Sequence, residues 1–328
     1  MRSLPRGTGL LEALGIAAVA VIVGMTLLPA DVHPLPSLCS EAPYVTAALF
    51  LAGLVALLFG VQRAMIGAFL GSALIAAVLR ATTSTLSPVP AVPLQPHAEG
   101  SLEFAQLAAD NLHLGDGEDS VDEVRRVSAD VLSVHGLTPQ YAAWLGDSLR
   151  ALYPHQYLFV DIGLQGIGLF SREPFGSVDS VVIAGITHVE ACVSGHGDDA
   201  DIRLIGVQTL PPVNPVAFQT LRVQLERVAE IVGGYCDPAL VFGDFNAVPW
   251  SSELNDFLAA GELLDSRRAF QSTFVRGAPQ LFEVPVEHIF YGPRLRCLNF
   301  ETLRVGDEYL GNVAVFTERA TDPTLAAR

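Results

Sequence analysis

Hydrophobic and polar positions change rhythm along this chain. From Ala13 to Ala30, from Ala42 to Gln62 and from Ala64 to Leu79 no charged residue interrupts the apolar run. A helix of about 20 such residues crosses a bilayer. The third run is short, but Arg63 and Arg80 bracket it and can extend their heads to the two interfaces. The pattern predicts a three-helix transmembrane anchor over residues 1–80. Residues 81–100 carry Pro88, Pro90, Pro93 and Pro96 and read as an extended, semi-rigid linker.

Beyond residue 100 the periods shorten. Strands are expected at Leu102–Ala109, Asp130–Val134, Gln156–Val160, Gly166–Phe170, Val181–Ile186, His188–Val193 and Ile202–Thr209. More follow at Ala239–Phe242, Val286–Tyr291, Leu298–Val305 and Asn312–Thr317. Helices are expected at Val121–Ser128, from Thr138-Pro139 to Leu152, at Pro215–Gly233 and at Ser252–Ala260. Leu221, Leu225, Val228 and Val232 give the third of these helices an apolar face. Strand pairs mixed with helices suggest two packed sheets with helices outside, though periodicity by itself gives only mixed α and β. The domain runs over residues 101–320, with a tail at 321–328.

Composition sharpens this. Half of the residues are hydrophobic and the mean hydropathy is +0.40, high for a soluble chain of this length. Arg2 and Arg6 precede the first run, Arg63 joins the second to the third, and Asp31–Glu41 contains no Arg. The positive-inside rule puts the N-terminus in the cytoplasm, and three spans place the domain outside; with only two it would be cytoplasmic. The net charge is −16, there is no lysine, and residues 1–98 hold four Arg against three acids. The negative charge therefore lies on the domain, which argues against a nucleic-acid partner. Cys39, Cys192, Cys236 and Cys297 match no zinc spacing. Pairing among the last three and buried free thiols stay equally open.

The chemistry concentrates at Gly243-Asp244-Phe245-Asn246-Ala247-Val248-Pro249-Trp250-Ser251, which follows the strand Ala239–Phe242. An acid and an amide at i, i+2 share a face if the backbone stays extended; alternatively, Asp and Asn form local turns after strands. The nine residues resemble the signature of the endonuclease/exonuclease/phosphatase superfamily in its bacterial membrane-tethered branch. Ala109-Asp110-Asn111-Leu112, the segment Gly166 to Pro174 and Thr209-Leu210-Pro211-Pro212 are similar to further family motifs. The resemblance implies a four-layer α/β sandwich. It also implies that Asp244 activates a water, that Asn246 orients the water or the phosphate, and that Asn111 binds the phosphate.

Other positions depart from the family pattern. The metal-binding Glu after the second strand is replaced by Gly136, and a transition-state His by Gln208. The Asp that pairs with a late His becomes Glu287, and the final Asp-His becomes Glu308-Tyr309. A divalent metal needs hard carboxylate oxygens, and tyrosine cannot stand in for an imidazolium. Such losses cost several powers of ten, at roughly 10²–10⁴ for each acid–base group. His135 and His288 neighbour replaced positions, and strand alternation would turn them to the opposite face, so they read as structural or surface residues; His113, two residues from Asn111, could face the cleft but reads first as a solvated loop histidine.

Three readings follow. The first is a membrane-anchored, extracytoplasmic domain whose standard metal-dependent phosphodiester hydrolysis is weakened or lost. It would bind a phosphorylated ligand or an envelope protein and need no cofactor. The second is an active phosphodiesterase or phosphatase on a lipid or small phosphoester. It would use Mg or Mn, with Asp244 as base and Glu308 as metal ligand. The third is a structural envelope protein that recruits a neighbour through the small-residue face of Gly53, Gly67 and Gly71; packing within the chain would also explain that face.

Overall fold

The computed structural model describes residues 6–27, 40–83, 101–109, 112, 118–163, 165–194, 201–234, 238–267, 285–305 and 308–318. The apolar runs form helices α1 (Arg6–Leu27), α2 (Ala42–Leu58) and α3 (Gln62–Thr83). The segment Gln62–Ala81 is long and apolar enough to cross a membrane, with a mean hydropathy of 1.9; Gly15–Leu27 and Ala42–Leu58 are shorter. Helix α3 packs on both others because its glycines remove side-chain bulk. A Cβ on Gly71 would lie 2.9 Å from Val23 and 3.3 Å from Leu49, and one on Gly67 would lie 3.7 Å from Ile16. Gly53 of α2 receives the Phe69 ring, and Ser72 Oγ donates to the Thr46 carbonyl at 3.0 Å. The small-residue face is thus covered by the chain's own helices.

The domain follows as β1 (Ser101–Ala108), α4 (Glu118–Val127), β2 (Val131–His135), α5 (Pro139–Ser148), β3 (His155–Phe159), β4 (Ile167–Ser171), β5 (Phe175–Ile183), β6 (Ile186–Val193) and β7 (Ile202–Gln208). Then come α6 (Pro215–Gly233), β8 (Ala239–Asp244), α7 (Ser252–Ala260), β9 (Leu264–Asp265), β10 (Glu287–Tyr291), β11 (Leu295–Val305) and β12 (Glu308–Glu318). The described strands make two six-stranded sheets, ordered β11-β12-β1-β2-β4-β3 and β5-β6-β7-β8-β10-β9. Only β1–β2 and β7–β8 are parallel pairs among them. Helices α6 and α7 start on capping side chains: Asn214 Oδ1 accepts from the Ala217 N–H at 2.9 Å, and Ser251 Oγ from Leu254 at 3.3 Å.

Three apolar layers hold the sandwich. Phe104, Leu204, Phe242 and Phe316 fill the space between the sheets. Leu132, Leu145 and Val313 join the first sheet to α4 and α5. Phe218, Leu225, Phe245 and Phe257 join the second to α6 and α7. Burying one such side chain contributes about 2 kcal/mol. The order helix–sheet–sheet–helix is the expected four-layer α/β sandwich.

Two expected elements are corrected. The run Val181–Ile186 is not one strand but the tip of a hairpin. Ala184 and Gly185 adopt φ of 50° and 83°, and Ile183 pairs with Ile186. Consecutive left-handed residues are the turn that matches strand twist; an alanine in the first position hides it within an apolar run. The helix expected to reach Leu152 ends at Ser148, with Leu149 as its cap. Cys192 and Cys297 are buried free thiols, whereas Cys39 and Cys236 lie outside the described residues.

Candidate active site

Alternation along three neighbouring strands of the second sheet builds a polar row. Leu204 on β7, Phe242 on β8 and Ile289 on β10 point into the space between the sheets. On the same face, toward one end of the sandwich, stand Gln208, four residues from Leu204, and Asp244 and Glu287, each two residues from its apolar neighbour, and the ladder aligns them: Gln208 pairs with Asp244, and Asp244 with Glu287. Gln208 Nε2 donates to Asp244 Oδ2 at 3.2 Å. Burial pushes the Asp244 carboxyl up to about 6, against the hydrogen bonds from Asn246 and Gln208 that favour its charge. Gly243 makes the approach feasible. Its φ is +142°, and a Cβ there would sit 1.8 Å from the Val207 carbonyl oxygen.

Asn246 reaches the site by another route than an extended i, i+2 strand. Strand β8 ends at Asp244, and Asn246 has φ of 46°, a left-handed conformation that Asn tolerates. Its N–H donates to Asp244 Oδ1 at 3.1 Å, and its Nδ2 donates to the Thr209 carbonyl at 3.0 Å. Thr209 itself donates its N–H and hydroxyl to the Asp244 carbonyl. The local turn and the functional motif are therefore the same structure. His288, on the far face of β10, holds the turn from behind: its Nε2 lies 2.9 Å from the Ala247 carbonyl, and its ring stacks on Phe290. Burial keeps it neutral, well below its usual pKa.

Across the gap, the first sheet presents a second polar row. Gln106 on β1 pairs with Asn312 on β12 and with Ser133 on β2, and all three are fully buried. Gln106 Nε2 crosses to the Gly243 carbonyl at 3.1 Å. His135, one pleat further along β2, contacts Ser133 Oγ at 2.9 Å, and its ring lies against Gly243. Burial drops its pKa to about 3, partly offset by Gln208 beside it. Gln106 Oε1, His135 Nδ1, Gln208 Oε1 and both Asn312 amide atoms have no hydrogen-bond partner. None of the first row was expected from the sequence except through the motif, and Gln106, Ser133 and Asn312 were missed. The signal was a polar residue at an inward position of an otherwise apolar alternation, as in Leu102, Phe104, Gln106.

Tyr309 closes the site beside Glu287. Its hydroxyl donates to Glu287 Oε2 at 2.7 Å, and both residues are buried. Burial raises Glu287 to about 7, opposed by that hydrogen bond and reinforced by the Asp244 charge. Burial, then the Glu287 charge and the hydrogen bond to it, raise Tyr309 well above its usual range. Arg267, also missed in the sequence, donates to the Glu287 carbonyl and sits beside Asp265, whose carboxyl burial lifts to about 6.

The structure therefore brings Asp244, Asn246, Gln208, Glu287 and Tyr309 together. Gly136 follows β2 with φ of 73°, a conformation that suits glycine and disfavours Glu. Asn111 and His113 lie outside the described residues; Glu308 pairs with Val305 through its backbone, and its side chain is likewise outside them. Among the described residues, no three His, Cys, Asp or Glu side chains converge to hold a metal ion. The donors around Asp244 are mostly neutral amides, and the Glu287 carboxylate is occupied by Tyr309. This donor set does not fit a divalent cation, which wants several charged oxygens.

Comparison with known proteins gives the fold a family. Residues 111–322 match the model of the Endonuclease/Exonuclease/phosphatase family. An endonuclease/exonuclease/phosphatase from Beutenbergia cavernae is similar in structure at 18% identity and a TM-score of 0.55, over 66% of this chain and 72% of that one. A humanized D. rerio TDP2 aligns at 16% identity and a TM-score of 0.54, over 66% and 99%. A family protein from Bacteroides thetaiotaomicron aligns at 14% and 0.54, over 68% and 100%. No curated protein sequence matches. The chain belongs to the endonuclease/exonuclease/phosphatase family, whose domain is phosphoesterase-like and whose members typically depend on a divalent metal.

Proposed function

We propose that this chain is a membrane-anchored, extracytoplasmic member of the family in which standard metal-dependent phosphodiester hydrolysis is weakened or lost, and which binds a ligand or envelope partner at the Asp244 site. One observation carries this reading. The carboxylates that remain are engaged by neutral partners, Asp244 by Gln208 and Asn246, and Glu287 by Tyr309, while Gly136 offers no ligand atom. The membrane part rests on the Gln62–Ala81 segment, the two shorter apolar helices and the placement of arginines. Calorimetry with Mg²⁺ and Mn²⁺, together with turnover of bis-nitrophenyl phosphate by the full chain, tests the reading. Neither saturable metal binding nor turnover above background is expected. Robust metal-dependent turnover, abolished by Asp244→Ala, would overturn it.

A second reading draws on the Asp244 pKa of about 6. A carboxylate near neutrality suits a general base, so an active phosphoesterase on a lipid or small phosphoester is the alternative. Asn246 and Asn111 would orient the phosphate and Glu308 would hold Mg or Mn. The same turnover measurement separates the two.

A further inference from the structure

The loop that follows Asp244 joins the domain to the helices. Val248 and Trp250 are buried, and the apolar cluster around them includes Val23 of α1, Ala42 of α2, and Ile75 and Leu79 of α3. These helix residues share one end of the bundle: the last two turns of α1 and α3 and the first turn of α2. In a three-span anchor this is the end where the chain leaves the bilayer. Ile75 lies about 9 Å inside the end of Gln62–Ala81, at 1.5 Å per residue. That is the depth at which headgroups meet acyl chains, about 5–10 Å.

The same end of the sandwich carries an apolar rim. Ile167 pairs with His135, whose ring lies against Gly243, so the β3–β4 loop sits at the end where β8 runs out. Strand β7 ends there too, beside the tip of the β5–β6 hairpin, and leads into α6. These connections expose Ile162 (88%), Val182 (66%), Val213 (72%) and Val216 (76%). Apolar side chains exposed together, rather than singly, mark an interaction surface. Ala184 of the hairpin tip and Pro215, Val216 and Val223 of α6 line one shallow groove, so hairpin and helix form a continuous face. In the β3–β4 loop Asp161 folds back: its Oδ2 accepts from the Gly163 and Gln165 N–H groups at 2.7 and 3.3 Å, with Ile162 at the exposed turn between.

Charge separates this rim from the rest of the domain. The segments 160–166, 182–187, 209–216 and 245–251 hold one charged residue, Asp161, in a chain of net charge −16. Anionic headgroups repel so acidic a domain, and the rim has no Lys or Arg to draw them. Continuity with the anchor favours lipid over a protein as the cover, because the rim stands at the end where Val248 and Trp250 already meet the helices at headgroup level.

We propose that this rim rests in the headgroup layer of an electrically neutral, zwitterionic bilayer, so that the sandwich lies on the membrane with its site end down rather than standing off it. Asp244 is four residues before Val248, and the backbone keeps it within about 14 Å of that contact. The proposal rests on the membrane-anchored reading above and goes beyond it by giving the domain an orientation and a lipid-facing surface of its own.

The test uses the full chain in lipid nanodiscs. The chain has two tryptophans, and Trp144→Phe with Trp250→Phe supplies a dark background. Ile162→Trp and Val213→Trp are then added one at a time. The control is Ser194→Trp, exposed at the far end of β6 and about 25 Å from the hairpin tip at 3.3 Å per residue. Phosphatidylcholine brominated near the carbonyl end of its acyl chains should remove about half of the emission at Ile162 and Val213, and little at Ser194. An unquenched probe at either rim position, or equal quenching at Ser194, overturns the orientation. With half of the lipid replaced by equally brominated phosphatidylglycerol, quenching should be equal or weaker; stronger quenching overturns the neutral surface. A full chain that stays monodisperse without detergent or lipid refutes the membrane-anchored reading, and the rim proposal with it. A chain that enters the discs with its rim probes unquenched refutes the rim proposal alone.

Discussion

Replacing Glu287 by Gln should stabilise the protein, and more so at high pH. The carboxyl is buried and accepts a hydrogen bond from the Tyr309 hydroxyl at 2.7 Å, which the Gln carbonyl can also accept. Burial raises the group from 4.5 to about 7. The folded protein thus retains a proton that the unfolded chain has released. The acid is best tolerated below 4.5, and stability falls as pH rises toward the folded-state value. At about 1.4 kcal/mol per pH unit, the whole effect is roughly 3 kcal/mol. Between pH 5 and pH 8, the advantage of the variant should grow by roughly 2 kcal/mol, a Tm difference of about 4–8 °C for a domain of this size. Thermal unfolding of the detergent-solubilised chain at both pH values measures it. An equal advantage at pH 5 and pH 8 would refute the buried-acid account, and a loss at both would mean that the charge is itself held by an unseen cation.

Three further outcomes follow from the geometry. Gly243→Ala places a Cβ 1.8 Å from a carbonyl oxygen, so β7 and β8 must part; a loss of about 3 kcal/mol or more is expected, read by denaturant titration. Asn246→Ala removes the bond to Thr209 and leaves a residue ill-suited to φ of 46°. It should cost about 1–2 kcal/mol and speed amide exchange at Thr209 and Asn246 without affecting β1 or β12. Gly71→Leu drives a side chain into Val23 and Leu49; it should loosen α1 from α3, seen as faster proteolysis of the 28–39 connection in detergent, while the melting of the sandwich changes little.

Much of the fold was legible because the inward and outward positions of each strand differ in polarity. Pro215–Gly233 and Ser252–Ala260 form as helices with the boundaries that their caps and apolar faces predict. The Ala184–Gly185 hairpin was not legible, since an alanine gives no warning of a left-handed turn. At the site, Asp244 and Asn246 are legible through their motif, and of the two local conformations that the sequence allows it is the turn, not strand alternation, that joins them. Gln106, Ser133 and Asn312 escaped because one polar residue in an apolar strand means nothing until the facing strand is known. Arg267 escaped because Glu287, whose carbonyl it reaches, meets it only through tertiary packing.

The strand order has a bearing on how the protein is made. Strand β1, the first of the domain, lies in the interior of its sheet, and its neighbour on one side is β12, the last described strand; Ser101 to Leu107 pair with Thr317 to Gly311. Over 200 residues are synthesised between the two partners. Until β12 emerges, β1 presents an unsatisfied backbone edge, which is prone to mispairing with other chains. The sandwich therefore closes only after synthesis has passed residue 317, and a truncation that removes β12 takes out an interior strand rather than a margin. A nascent chain of this topology has to be kept from aggregating while it waits, a demand that falls on the compartment in which the domain folds.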